Sequence, residues 1–137
     1  MNRDTTIAQL KNIRPYKADG SSLLKKINDI LFIKPINELE VEDLRLLIGQ
    51  GEFLDITIPL ALEHLQDDIL TEGDFYPGDL LRNVLGAEKT FWKKYPAVRN
   101  EFKSILSEKY GEIREAQIAE TSKEQFMRLI NDFLESS

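Results

Sequence analysis

Apolar residues recur in this chain at helical spacing, in one short run after another, and a glycine or proline stands near the end of most runs. A stripe at i, i+4, i+7 and i+8 shares one face only if the backbone is helical. Glycine and proline then stop each helix after a few turns. Leu23, Ile27, Ile30 and Leu31 form such a stripe before Lys34-Pro35, as do Leu44, Leu47 and Ile48 before Gly49 and Gly51. Ile58, Ala61, Leu62 and Leu65 form another; Val98, Phe102, Ile105 and Leu106 follow Pro96; Phe126, Leu129, Ile130, Phe133 and Leu134 form the last. No stretch alternates with period two for long enough to predict a strand, although a short extended piece fits residues 53–57. The pattern predicts an all-α fold: one domain over residues 1–137, with seven or eight short helices around one core.

Local chemistry places the boundaries. Ile7, Leu10 and Ile13 suit a short helix before Pro15, and Asp19-Gly20 a turn. Ser21 or Ser22 caps the next helix. Glu42 and Asp43 fall in a first turn, where the helix dipole favours acids, and Gly51 suits a left-handed C-cap. Pro59 loses nothing by its missing N–H in a first turn, so a helix is expected to start near Thr57, with Thr57 as its cap. The segment TEGDFYPGD (71–79) reads as a loop punctuated by Gly73, Pro77 and Gly78, with Phe75 and Tyr76 anchoring it to the body. A short helix from Gly78 to Leu85 ends at Gly86. Pro96 opens a helix that Gly111 ends, a further short helix over 112–120 points Ile113 and Ile118 inward, and Thr121 or Ser122 caps the last helix through a capping box.

A chain of 137 residues can bury a sizeable core without staples. It has no cysteine, which excludes disulfides and thiolate metal sites. No apolar run approaches a membrane span, and the first residues have no signal-peptide character. A soluble cytoplasmic protein without membrane contact is expected.

The net charge of −6 disfavours direct binding of nucleic acid, which requires lysine and arginine against phosphate. The charge is also unevenly placed. From Leu46 to Leu81, 36 residues contain eight acids and no base: Glu52, Asp55, Glu63, Asp67, Asp68, Glu72, Asp74 and Asp79. The rest of the chain holds 16 acids and 18 bases, a balance of +2. One-signed local charge steers a partner of the opposite sign.

Catalytic patterns are missing from the sequence. The single histidine, His64, falls beside an apolar stripe, as a boundary residue does, and no second histidine supports a metal. The acids from Asp67 to Asp79 fit no calcium-loop register, and the glycines make no phosphate-cradling motif. Lys89, Lys93, Lys94, Arg99, Lys103 and Lys109 are interleaved with aromatics but also with Glu88, Glu101 and Glu108, as on an ordinary amphipathic surface. The residues describe an acidic helical binder with no catalytic residues, no metal and no cofactor. Two other readings stay open: a helical adaptor or scaffold for another basic protein, and a small metal-dependent hydrolase using the 67–79 acids.

Three phrases carry a family resemblance. VEDLRLLIGQ (41–50), IPLALEHL (58–65) and EGDFYPGDLL (72–81) resemble, in order and spacing, a family of contact-dependent growth inhibition (CDI) immunity proteins. Tyr16 and SSLLKKIND resemble the family's upstream segment loosely, and Trp92 matches a tryptophan that follows. The resemblance is clearest over about 45 residues, Val41 to Leu85. It implies an α-helical, non-catalytic bacterial protein that binds, one to one, the C-terminal toxin domain of a cognate CdiA-type exoprotein. Such toxins are commonly nucleases with basic surfaces, and a ribonuclease is the expected one here. Glu52, Asp55, Glu63, Asp67, Asp68, Glu72, Asp74, Tyr76 and Asp79 are then the candidate toxin contacts. Asp43, Arg45, Gln50, Gly51, Pro59, Gly73, Pro77 and Gly78 are the candidate scaffold, with Arg45 expected to pair with Asp43 or Asp79 beneath the loop.

Overall fold

The structure, a computed structural model, describes residues 1–15 and 20–136; the expectations placed on Tyr16 and Asp19 lie outside them. Among these residues are eight α-helices: α1 (Ile7–Lys11), α2 (Ser22–Phe32), α3 (Val41–Gly49), α4 (Leu54–Asp67), α5 (Asp79–Leu85), α6 (Lys89–Lys94), α7 (Pro96–Arg114) and α8 (Glu120–Glu135). A 3-10 turn at Ile36–Glu38 joins α2 to α3. Extended pairing among them is limited to one isolated bridge, Glu72 with Pro77. The all-α expectation holds.

Helix α4 lies in the middle. It packs on α3, α5 and α7, while α5 reaches α8 and α7 lies along α8. Its Ile58, Leu62 and Leu65 are fully buried, as are Leu47 of α3, Leu80 and Leu81 of α5, and Phe102 and Leu106 of α7. Removing this much apolar surface from water is the main favourable term for a fold without disulfides. The N-terminal segment is tied down by the Ile36 and Asn37 N–H groups, which donate to the Thr5 and Arg3 carbonyls at 2.9 Å each.

Several boundaries follow the sequence. Ser21 caps α2, Gly86 ends α5, and Pro96 is the first residue of α7. Gly51, at φ +70°, completes the end of α3. Its N–H donates to Ile48 and that of Glu52 to Leu47, both at 2.9 Å, the paired bonds of a Schellman ending. Gln50 is the exposed C-cap of that helix.

Several expectations are corrected. Helix α4 starts at Leu54, not near Thr57, with Phe53 in the left-handed region before it. Pro59 therefore sits inside the helix as its sixth residue. Extending the helix backward buries Leu54 and Ile56, which offsets the one hydrogen bond that proline cannot make. Thr57 is not a cap: it is fully buried and its hydroxyl donates back to the Phe53 carbonyl at 3.1 Å. The same extension removes the extended piece at 53–57. Gly111 does not end α7, which runs to Arg114, because one more turn carries Ile113 into the core at the modest cost of a helical glycine. The separate helix at 112–120 is accordingly absent. Helix α8 begins at Glu120 behind Ala119, so neither Thr121 nor Ser122 caps it. Leu23, expected in the α2 stripe, is 40% exposed.

Candidate functional site

The loop between α4 and α5 is held from inside. The Gly78 N–H closes its base on the Leu70 carbonyl at 3.1 Å, and the Glu72–Pro77 bridge pairs its two limbs. Its amides then converge on one carboxylate. Asp79 Oδ1 accepts from the Gly73 N–H at 2.7 Å, while Oδ2 accepts from Phe75 at 3.1 Å and Tyr76 at 3.4 Å. Asp79 is 2% exposed and is the first residue of α5, where the helix dipole favours an anion. A buried carboxylate is tolerated when donors surround it in this way. A Cβ at position 73 would stand 2.6 Å from Glu42 Oε1 and 3.1 Å from Asp79 Oδ2, so a side chain there would have to displace the carboxylates that hold the loop.

Helix α3 supplies the second clasp. Glu42 Oε1 accepts the Asp74 N–H at 2.9 Å. The same carboxylate takes Arg45 on two prongs, Nε to Oε1 and Nη2 to Oε2, both 2.6 Å. The Arg45 guanidinium lies 4.4 Å from the centre of the Phe75 ring, and its carbonyl accepts Asn83 Nδ2 from α5 at 2.8 Å. Neither Glu42 nor Asn83 is singled out by the sequence as a loop contact. The readable signal was the i,i+3 spacing of Glu42 and Arg45.

This corrects the expected pairing of Arg45 with Asp43 or Asp79. Residues two apart do not share a helix face, which separates Asp43 from Arg45. Asp43 instead accepts Lys34 Nζ and the Glu40 N–H, each at 2.9 Å, and so fastens the start of α3 to the end of α2. Asp79 is occupied by the loop amides.

The Arg45 hydrogen bonds hold the Glu42 carboxyl below the usual carboxylate range; burial opposes this, and the Asp74 amide adds to it. A lowered folded value means that the clasp stabilises the protein above the ordinary carboxylate value near 4.5 and is lost as pH falls through the folded value. Glu42→Gln should therefore cost about 1–2 kcal/mol at neutral pH. In urea unfolding at stepped pH, the gap between wild type and variant should narrow as pH falls below the ordinary carboxylate value near 4.5.

The base-free window of the sequence is not base-free in space. Lys11 of α1 pairs with Asp55, and Arg3 reaches Glu63 through two bonds of 3.0 and 2.5 Å. Glu52 is half-buried behind α3. Asp79, expected on the acidic face, is inside. The exposed acids of the nine candidate contacts are thus Glu63, already paired, and Asp67, Asp68, Glu72 and Asp74, which run from the end of α4 through the loop. Phe75 and Tyr76 are 66% and 42% exposed at the tip of the loop rather than packed into the core, and Phe75 meets the body through the Arg45 guanidinium. His64 is half-buried on α4. Among the described residues no group of three carboxylates or histidines comes together to hold a metal ion, and no helix is long and apolar enough to cross a membrane.

The helical scaffold thus fixes from beneath a loop whose tip exposes Phe75 and Tyr76, and the exposed acids Asp67, Asp68, Glu72 and Asp74 precede or belong to that loop. The model of the CDI immunity proteins matches residues 8–102, and the chain belongs to that family. Membership implies an inhibitor that neutralises a cognate CdiA toxin domain by binding it. Neither a curated protein nor a solved structure matches the chain.

Proposed function

We propose that this protein protects a bacterial cytoplasm by binding, one to one, the C-terminal nuclease domain of its cognate CdiA-type exoprotein, best read as a ribonuclease. The match to the CDI immunity proteins carries this reading. The contact surface is the end of α4 and the following loop: Asp67, Asp68, Glu72 and Asp74 supply charge, and Tyr76 with Phe75 supplies the aromatic anchor. The surface covers the toxin's active site or substrate groove, where cations that hold phosphate accept these carboxylates instead.

One feature of α4 favours this choice. Asp67 is its last residue and Asp68 its C-cap. The negative end of the helix dipole makes this an unfavourable place for anions, by about 0.3–1 kcal/mol each. Asp68 also holds the turn that follows, its Oδ1 accepting the Leu70 N–H at 3.2 Å, whereas Asp67, an acid kept where it costs stability, fits a surface shaped by a cationic partner that would remove the penalty.

The triple variant Asp67→Asn, Asp68→Asn, Glu72→Gln separates the two effects. Association with the toxin domain should slow by about tenfold or more at low salt and lose most of its salt dependence in stopped-flow measurements. The melting temperature should hold or rise slightly, since two acids leave the helix end. An unchanged association rate would remove this face from the interface.

A further inference from the structure

Arg45 does more beneath the loop than closing it requires. Between Lys34 and Arg82 the chain holds one lysine or arginine, and it is Arg45. Its guanidinium binds Glu42, and Glu42 accepts the Asp74 N–H. A lone Glu42 carboxylate could accept that amide, so closure by itself does not call for an arginine. A cation at an acidic surface also weakens attraction for a basic partner. Here the charge is neutralised on two prongs and covered, with 17% of the Arg45 side chain exposed.

What Arg45 adds is its contact with Phe75. The guanidinium lies 4.4 Å from the centre of the ring, within cation–π distance. The main chain around that ring is fixed as well: Asp79 accepts the Phe75 N–H at 3.1 Å and Glu42 the Asp74 N–H at 2.9 Å. Phe75 is nonetheless 66% exposed, more than its neighbour Tyr76 at 42%. Among the described residues no cation lies over the Tyr76 ring. A large apolar ring held still and presented to water suits a binding anchor, because it has already lost the freedom that binding would take from it.

Taking the loop as the toxin-binding surface, as proposed above, we infer that Phe75 is its principal apolar anchor and that Arg45 is the positioning residue, holding one face of the ring so that the rest enters an apolar pocket of the toxin domain. Charge fixes what surrounds that pocket. Asp74, next in the chain to Phe75, is exposed, so cations of the partner flank the pocket. Arg45, paired with Glu42 and covered, acts through Phe75 and not on the toxin. A base is thereby tolerated under an acidic surface.

Dissociation of the complex with the cognate toxin domain, followed by surface plasmon resonance, tests this. Phe75→Ala should speed dissociation about thirtyfold or more, with little change in melting temperature because the ring is exposed. Arg45→Met keeps the stem and removes the guanidinium, and dissociation should quicken about two- to tenfold, the cost of ordering one freed side chain. The double variants separate positioning from stability. In the Phe75→Ala background Arg45→Met should change dissociation no further, while in the Tyr76→Ala background its effect should remain in full. A merely structural arginine would act equally in both. Phe75→Leu, which keeps Arg45 and an apolar side chain but offers the guanidinium no ring, puts the fold at no risk and should lose at least as much as Arg45→Met. Wild-type dissociation in Phe75→Ala or Phe75→Leu, or an Arg45 effect that persists without Phe75, would overturn the assignment. The loop reading survives those results if the triple acid variant still slows association. If that variant also binds as wild type does, or the toxin domain does not bind at all, both fall.

Discussion

Asp79→Ala should lower the unfolding free energy by about 2–4 kcal/mol, because it strands three loop amides at once. The Gly73, Phe75 and Tyr76 N–H groups have Asp79 as their acceptor. Two of them stand at the tip that carries the exposed aromatics. Asp79→Asn is the informative companion. It keeps one oxygen, so it can serve either Gly73 or the Phe75–Tyr76 pair, while its NH₂ group faces donors on the other side. About half the loss is expected, roughly 1–2 kcal/mol. Chemical denaturation gives both numbers. Hydrogen exchange should show the change first at the amides of 73–76, since local opening of the loop requires less than global unfolding. Full stability in Asp79→Ala would mean that water replaces the carboxylate without cost, and that the loop's other contacts suffice to fix it. On the reading proposed above, toxin affinity should fall further than stability does, because a loosened loop must be reordered on binding.

Asp79 also marks the limit of what could be read from the sequence. Composition counted it with the other acids of the 46–81 window, yet it is the one placed inside. Its position at the start of a helix, six residues after Gly73, was visible. That three amides would fold back on it was not, because loop closure depends on contacts across the loop and with α3. The helices themselves were legible from their stripes, since burial enforces the period. Their ends were legible only where local chemistry acts alone, as at Ser21, Gly51, Gly86 and Pro96. Where burial opposes local preference, burial prevails: Leu54 and Ile56 draw α4 past Pro59, and Ile113 draws α7 past Gly111. Charge was least legible. The run without lysine or arginine is a fact of one dimension, and α1 with its preceding segment returns Arg3 and Lys11 to the acids on α4. What remains is a smaller acidic surface, from Asp67 to Asp74, than the eight acids of the window suggested.

The second large effect is expected at Gly78, read against Gly51. Both glycines hold a left-handed backbone, φ +87° and +70°. A side chain at either position costs about 1–2 kcal/mol for that conformation alone. At Gly51 a Cβ would meet nothing within 4 Å, so Gly51→Ala should stop there. At Gly78 the same Cβ would stand 2.6 Å from Phe126 Cζ and 3.0 Å from Leu70 Cδ2. Phe126 is buried in α8 and cannot swing into solvent, so Gly78→Ala adds an overpacking cost and should lose about 3 kcal/mol or more. Replacing Phe126 by leucine shortens the opposing side chain. In that background the cost of Gly78→Ala should shrink toward that of Gly51→Ala, a coupling that a double-mutant cycle measures directly. Additive losses would show that the backbone, not α8, sets the requirement for glycine. A positive coupling would show that α8, which lies beyond the part of the chain matched by the family, is the lid under which the family's loop is seated. The loop at 72–79 then owes its fixed shape to three separate elements: Asp79 within α5, Glu42 and Arg45 on α3, and Phe126 on α8.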